Sequence, residues 1–218
     1  MRTPAVLLGL RRFVQRVKLG YAVRRSPLKI VLGSGGICQP GWIPTDIEIL
    51  NVLKPDHWAR LLRAGSVDAL LAEHVWEHLS LDEGAQAART CFRYLRDGGH
   101  LRIAVPDGNH PFPAYIDAVR PGGIGAGAKD HKVLYDYRSL SGLLEAAGFE
   151  VRLLEYFDEH GGFHACDMSE ADGLVRRAWR TDPRNAGSER RYTSLIIDAV
   201  KPRSAGGDVA QSANSGGE

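Results

Sequence analysis

The 218-residue sequence is poor in cysteine, having only Cys38, Cys91 and Cys166, far apart and odd in number. They form no CxxC pair, so neither a disulfide framework nor a paired-cysteine zinc site is expected, and a reducing, cytoplasmic setting fits best. No apolar run approaches the ~18 residues needed to cross a bilayer. No G-x-G-x-x-G run is present, which argues against a nicotinamide enzyme. Acidic residues are missing from the first 45 positions, before Asp46. What remains is an ordinary globular balance, 25% charged and 44% hydrophobic, long enough for one well-buried domain.

The missing acids make the amino terminus wholly basic, with Arg2, Arg11, Arg12, Arg16, Lys18, Arg24, Arg25 and Lys29 preceding Asp46. The rest of the chain then carries 20 basic against 26 acidic groups, from totals of 28 and 26. Val6, Leu10, Phe13, Val17 and Tyr21 recur at helical spacing with arginines on the other side, so residues 1–27 are expected to form an amphipathic leader helix. Such a helix packs on the domain, on a second copy in a homodimer, or on a membrane surface. Residues 203–218 are rich in Ser, Gly, Ala and Asn without periodicity, and are expected to be a disordered tail. The domain lies between, over 28–202.

Its most informative stretch is Leu28-Lys29-Ile30-Val31-Leu32-Gly33-Ser34-Gly35-Gly36. An apolar run that ends in glycines reads as a buried strand entering a tight turn, where the missing Cβ lets backbone lie against a ligand. Further strands are expected over Gly41–Ile47, Val67–Ala72, His100–Val105, Phe149–Tyr156 and Tyr192–Val200. Ser80 and Glu83 form a capping box, opening a helix with Leu81, Ala85, Ala88, Phe92 and Leu95 on its inner face. A second helix runs through Leu140, Leu143, Leu144 and Ala147. Strands alternating with helices imply a largely parallel sheet with right-handed crossovers.

The glycine turn, Asp46 closing the next strand, the segment Val67-Asp68-Ala69-Leu70-Leu71-Ala72-Glu73-His74-Val75-Trp76-Glu77-His78-Leu79, and the segment Leu95-Arg96-Asp97-Gly98-Gly99-His100-Leu101-Arg102-Ile103-Ala104-Val105-Pro106-Asp107 together resemble a class I S-adenosylmethionine-dependent methyltransferase of the small bacterial type-11-like group. The resemblance implies an α/β fold, a doubly wound, mostly parallel, seven-stranded Rossmann-like sheet with the last strand antiparallel. It implies S-adenosyl-L-methionine as cofactor, with Gly33, Ser34 and Gly35 beneath its methionine part, Asp46 accepting from the ribose hydroxyls and Glu73 near the methionine side. The sequence departs from the family pattern in lacking an acid before the glycines. An adenine-reading acid between Lys54 and Ser66 has no clear counterpart either.

A sulfonium methyl is already electrophilic, so alignment carries much of the rate, with a base needed only where the acceptor loses a proton. His131 and Asp107 are the expected catalytic groups. His110, Tyr115, Tyr135, His160 and His164 are expected to bind the acceptor. Phe112, Tyr115, Tyr135 and Phe163 suggest apolar walls suited to a small-molecule or glycosidic acceptor. No continuous basic groove favours nucleic acid. A non-catalytic partner subunit that binds the cofactor is the alternative. His74-Val75-Trp76-Glu77-His78 also matches the HxxEH pattern of inverted zinc peptidases, with Glu145 or Glu155 as a distant third ligand. The segment directly follows a strand and precedes the Ser80 cap, which leaves little helix to hold two histidines on one face, and no metal is assigned. Deleting residues 1–24 is expected to leave cofactor affinity within a few-fold while changing oligomer size or the fraction sedimenting with anionic vesicles. Loss of folding on truncation would instead make the leader part of the core.

Overall fold

The computed structural model describes Gly20, residues 26–185 and residues 190–204. The expected leader helix and tail therefore lie almost wholly outside the described residues. Within them, β1 (Lys29–Leu32) and β2 (Ile43–Pro44) are followed by α1 (Pro55–Leu61), β3 (Val67–Glu73), α2 (Leu81–Tyr94) and β4 (Leu95–Pro106). Then come α3 (Pro113–Val119), α4 (Tyr137–Ala146), β5 (Glu150–Phe157), β6 (Phe163–Ala165) and β7 (Ser194–Val200). The seven strands form one sheet in the order β2-β1-β3-β4-β7-β5-β6. Pairings from β2 to β4 are parallel, and β7 lies antiparallel between β4 and β5. The chain leaves β1 to one side for β2 and returns on the other for β3, so the order reverses at the carboxyl ends of β1 and β3. In open α/β sheets a ligand crevice forms at such a point.

Alternation along the strands divides the core. Ile30, Leu32, Leu70, Ala72, Leu101, Ile103, Leu195 and Ile197 face one side, where they meet Trp58, Ala87, Ala88, Cys91, Leu140 and Leu144 of α1, α2 and α4. Val31, Ala69, Leu71, Ala104 and Ile196 face the other side and pack on Trp42, Val175 and Ala178. Val175 and Ala178 belong to the chain between β6 and β7, where the described residues form only short 3-10 turns in otherwise irregular chain. Arg102 stands on this face, 2% exposed. Its Nε and Nη2 donate to both carboxylate oxygens of Asp198 at 2.7 and 2.8 Å, and Nη1 donates to the carbonyls of Ser169 and Gly173 at 3.0 and 2.7 Å. A buried guanidinium is tolerated because each face of its fork is met by an acceptor.

The Ser80–Glu83 capping box is present as expected. The inner face of α2 differs from the expected one, consisting of Gly84, Ala87, Ala88, Cys91 and Tyr94, with Leu81 59% exposed. A Cβ on Gly84 would come within 3.0 Å of the Tyr135 hydroxyl oxygen. The helix therefore turns its smallest residues inward, where they permit the closest approach. Helices α1 and α3 and strand β6 are short elements that the periodicity did not mark. The second strand is only two residues long and forms the sheet edge, with no strand in the Lys54–Ser66 region.

Glu155 on β5 is buried and accepts both the Trp179 N–H at 3.0 Å and the Ser194 N–H at 3.4 Å. Burial nevertheless dominates these bonds and raises its pKa from 4.5 to about 7. An acid whose pKa is higher folded than unfolded stabilises the native state below the unfolded value, and that contribution disappears as pH rises through the folded value. Stability should therefore decline between pH ~4.5 and ~7 by on the order of 3 kcal/mol from this group. Urea denaturation across that range should show Glu155→Gln flattening the decline; an unchanged slope would contradict it.

Candidate active site

A cleft of about 550 Å³ opens at the carboxyl ends of β1 and β3, a size that suits a cofactor with part of a substrate. Val31, Leu32 and Leu71 supply its apolar floor, and Gly33, Ser34 and Gly35 its first wall. Gly33 and Gly35 have φ of 61° and 56°, left-handed values that a side chain resists. A Cβ on Gly33 would meet Val75 Cγ2 at 2.7 Å, whereas one on Gly35 would meet nothing within 4 Å. Asp46 secures this loop, since its Oδ1 accepts the Gly35 N–H at 2.9 Å and the Ser34 hydroxyl at 3.2 Å. Asp46 supports the loop from beneath and does not line the cleft.

The next wall comes from the end of β3. Glu73 faces the cleft while its Oε1 accepts the Arg177 N–H at 2.9 Å. His74 has φ of 56°, the only positive value on a non-glycine among the described residues. Such strain persists where the surroundings fix it, often at working sites. Its Nε2 lies 3.2 Å from the Ser194 hydroxyl. Glu77 is 1% exposed. Its Oε1 lies 2.8 Å from His74 Nδ1 but out of hydrogen-bond alignment, and its Oε2 has no partner among the described residues.

The Glu77 carbonyl accepts the N–H groups of Lys132 and Val133 at 2.7 and 3.3 Å. These bonds bring His131 to His78, with ring centroids 4.9 Å apart and edge to face. Nδ1 of His131 is 2.6 Å from the Val119 carbonyl, and Nδ1 of His78 is 3.3 Å from the Asp130 carbonyl. A carbonyl only accepts, so Nδ1 is the donor in both contacts, and in the neutral ring the lone pair then sits on Nε2. Arg176, Arg177, Arg184 and Tyr192 close the cleft opposite the glycines. Arg184 lies 3.3 Å over the Tyr192 ring and is paired with Asp182.

Of the expected site residues, Gly33, Ser34, Gly35, Glu73 and His131 line this cleft, and the others do not. Asp107 is fully buried, and its two oxygens accept the Asn109 and Phe157 N–H groups at 2.9 and 2.7 Å, so it braces the end of β4. Tyr115 donates to the Thr193 carbonyl and accepts from the Asp107 N–H. His110 stacks on Tyr115 at 3.8 Å, and burial lowers its pKa to about 4. Tyr135 is buried under α2. His160 and His164 belong to the β5–β6 hairpin, where Asp158 takes the His164 ring nitrogen at 2.7 Å. Glu77 and His78 were visible in the HxxEH pattern, but the partner of His78 is His131, not His74. The arginine wall carried no periodic signal.

A family model described as a methyltransferase domain matches residues 48–103. Over that segment the chain is similar to methyltransferase domains. No curated protein matches the chain. Solved structures similar to it include an S-adenosylmethionine-dependent methyltransferase from Archaeoglobus fulgidus, at 16% identity over 87% of this chain and 94% of that one, with a TM-score of 0.44. A possible histamine N-methyltransferase from Thermotoga maritima is similar at 15% identity, over 90% and 96%, with a TM-score of 0.47. A methyltransferase from Mesorhizobium loti is similar at 14% identity, over 86% and 98%, with a TM-score of 0.46. The cleft of this domain fits such a cofactor. Its glycine loop offers bare backbone, and the carboxylate of Glu73 complements a sulfonium cation.

Two glycine variants separate fold from cleft. Gly33→Ala should lose about 2 kcal/mol or more in urea denaturation, through the left-handed backbone and the Val75 contact. Gly35→Asp should remain folded yet lose S-adenosylhomocysteine binding in titration calorimetry. Wild-type affinity in Gly35→Asp would remove the loop from the cofactor site.

Proposed function

We propose that this chain is an S-adenosylmethionine-dependent methyltransferase, that it acts on an oxygen or nitrogen of a small-molecule acceptor, glycosides included, and that the proton of the acceptor is lost at the His78–His131 wall. The observation that carries this reading is the pair of imidazoles whose Nδ1 hydrogens are held by backbone carbonyls. Both residues line the cleft, the bonds at Nδ1 leave Nε2 as the other ring nitrogen, and neutral imidazole suits proton removal near neutral pH. S-adenosylmethionine supplies the electrophilic methyl carbon when bound. Gly33, Ser34 and Gly35 would hold it, with Glu73 beside them.

The remaining residues orient the acceptor and exclude water. Arg176, Arg177 and Arg184 give the far wall a basic character, which favours an acceptor carrying a carboxylate or phosphate. Asp107 is left out of the catalytic set because both of its oxygens are occupied by backbone. The second reading, a cofactor-binding partner subunit without turnover, is separated by the same assay. Radiolabelled methyl transfer should be screened over hydroxylated and aminated small acids and glycosides. With an acceptor in hand, His131→Ala should lower turnover roughly 10²-fold while S-adenosylhomocysteine affinity stays within a few-fold. Turnover near wild type would exclude the imidazole wall as the proton's destination.

A further inference from the structure

The HxxEH segment and the chain after α3 converge on one point of the cleft wall. One potential ligand atom from each of Glu77, His78 and His131 lies within 4.8 Å of the other two. We propose that these three side chains bind a single divalent first-row transition ion at the edge of the cleft. The site does not depend on cofactor binding, because it stands on the arrangement of its own ligands, but a bound ion would occupy the imidazole lone pairs and so replace the histidines as the destination of the acceptor's proton.

Four features of the arrangement point to an ion. First, Glu77 is 1% exposed, and its Oε2 has no hydrogen-bond partner among the described residues. Leaving a buried carboxylate oxygen unpaired is costly, and a cation would satisfy it. Second, both imidazoles are held through Nδ1 by backbone carbonyls, of Asp130 for His78 and Val119 for His131. Metal-bound histidines are oriented in this way through the nitrogen that does not bind the metal. Third, the main-chain bonds from Lys132 and Val133 to the Glu77 carbonyl fix the two ligand-bearing segments together. Fourth, the lysine that follows His131 in the chain is directed elsewhere, since Lys132 Nζ is 2.7 Å from Glu83.

Two nitrogens and one carboxylate favour a zinc-like ion over magnesium or calcium, which prefer all-oxygen sites. Bonds of about 2.0–2.2 Å place tetrahedral donors roughly 3.3 Å apart, inside the 4.8 Å that bounds the separations of the three groups. Three protein ligands would leave an open position toward the cleft. With the ion bound, His131 Nε2 is a ligand, and any effect of His131 on turnover passes through the ion.

The decisive experiment titrates metal-free, full-length protein with Co²⁺ near neutral pH, following visible d–d absorption, and then displaces it with Zn²⁺. One equivalent should bind. His78→Ala and His131→Ala should each weaken binding roughly 10-fold or more, with folding checked by circular dichroism. The control His164→Ala, on the β5–β6 hairpin, should bind as wild type does. Glu77→Gln should also weaken binding, but its site is buried, so the two histidine variants decide the matter. Absence of the d–d band, or wild-type affinity in both histidine variants, would overturn the site. Titrating the same preparations with S-adenosylhomocysteine keeps the two readings apart. Failure of Co²⁺ with retained S-adenosylhomocysteine binding removes only the ion, and the converse removes only the cofactor assignment.

Discussion

The buried Arg102 guanidinium is the contact on which the shape of the cleft depends. It joins β4 to β7 through Asp198 and, in the same plane, receives the carbonyls of Ser169 and Gly173. Desolvating a guanidinium is expensive and is offset only when its donors are met with good geometry. That requirement makes the irregular chain between β6 and β7 an obligatory partner of the sheet. The same chain runs on to Arg176, Arg177 and Arg184, so the position of one buried charge sets the far wall of the cleft.

Other sheet and loop residues repeat this device. Gln39, beside the glycine loop, exchanges two hydrogen bonds with the backbone of Leu174, at 2.7 and 3.0 Å. Glu73 takes the N–H of Arg177 and Glu155 that of Trp179. Polar side chains from regular elements thus perform what a second helical layer does in a fully wound sheet. Glu73 accordingly has two roles, one carboxylate oxygen holding the wall while the residue faces the cleft.

The parts of this arrangement legible in the sequence were those governed by local rules. The apolar run ending at Gly33, the Ser80–Glu83 capping box and the strand over Val67–Ala72 need only neighbouring residues to be recognised. Gly33, Ser34, Gly35 and Glu73 could be placed by where strands end, and His131 by the polar segment that leads into α4. Asp107 also ends a strand, but the N–H groups of Asn109 and Phe157 claim its oxygens, and Phe157 is 50 positions distant. The meeting of His78 with His131 was equally hidden, because main-chain bonds to the Glu77 carbonyl produce it and main-chain bonds leave no pattern of residue types. The wall beyond β6 has no periodicity, so nothing in the sequence singles out its arginines.

The absence of regular structure in that wall has a dynamic consequence. A helix that lifts from a sheet keeps its internal bonds, whereas this chain has its principal anchors in Arg102, Gln39, Glu73 and Glu155. Its release is therefore cooperative among those anchors, and the described sheet can stay paired while it occurs. Ligand passage beneath the arginines and local unfolding of the wall become one event, so the rate of exchange would be set by four side chains of which only Gln39 and Glu73 line the cleft.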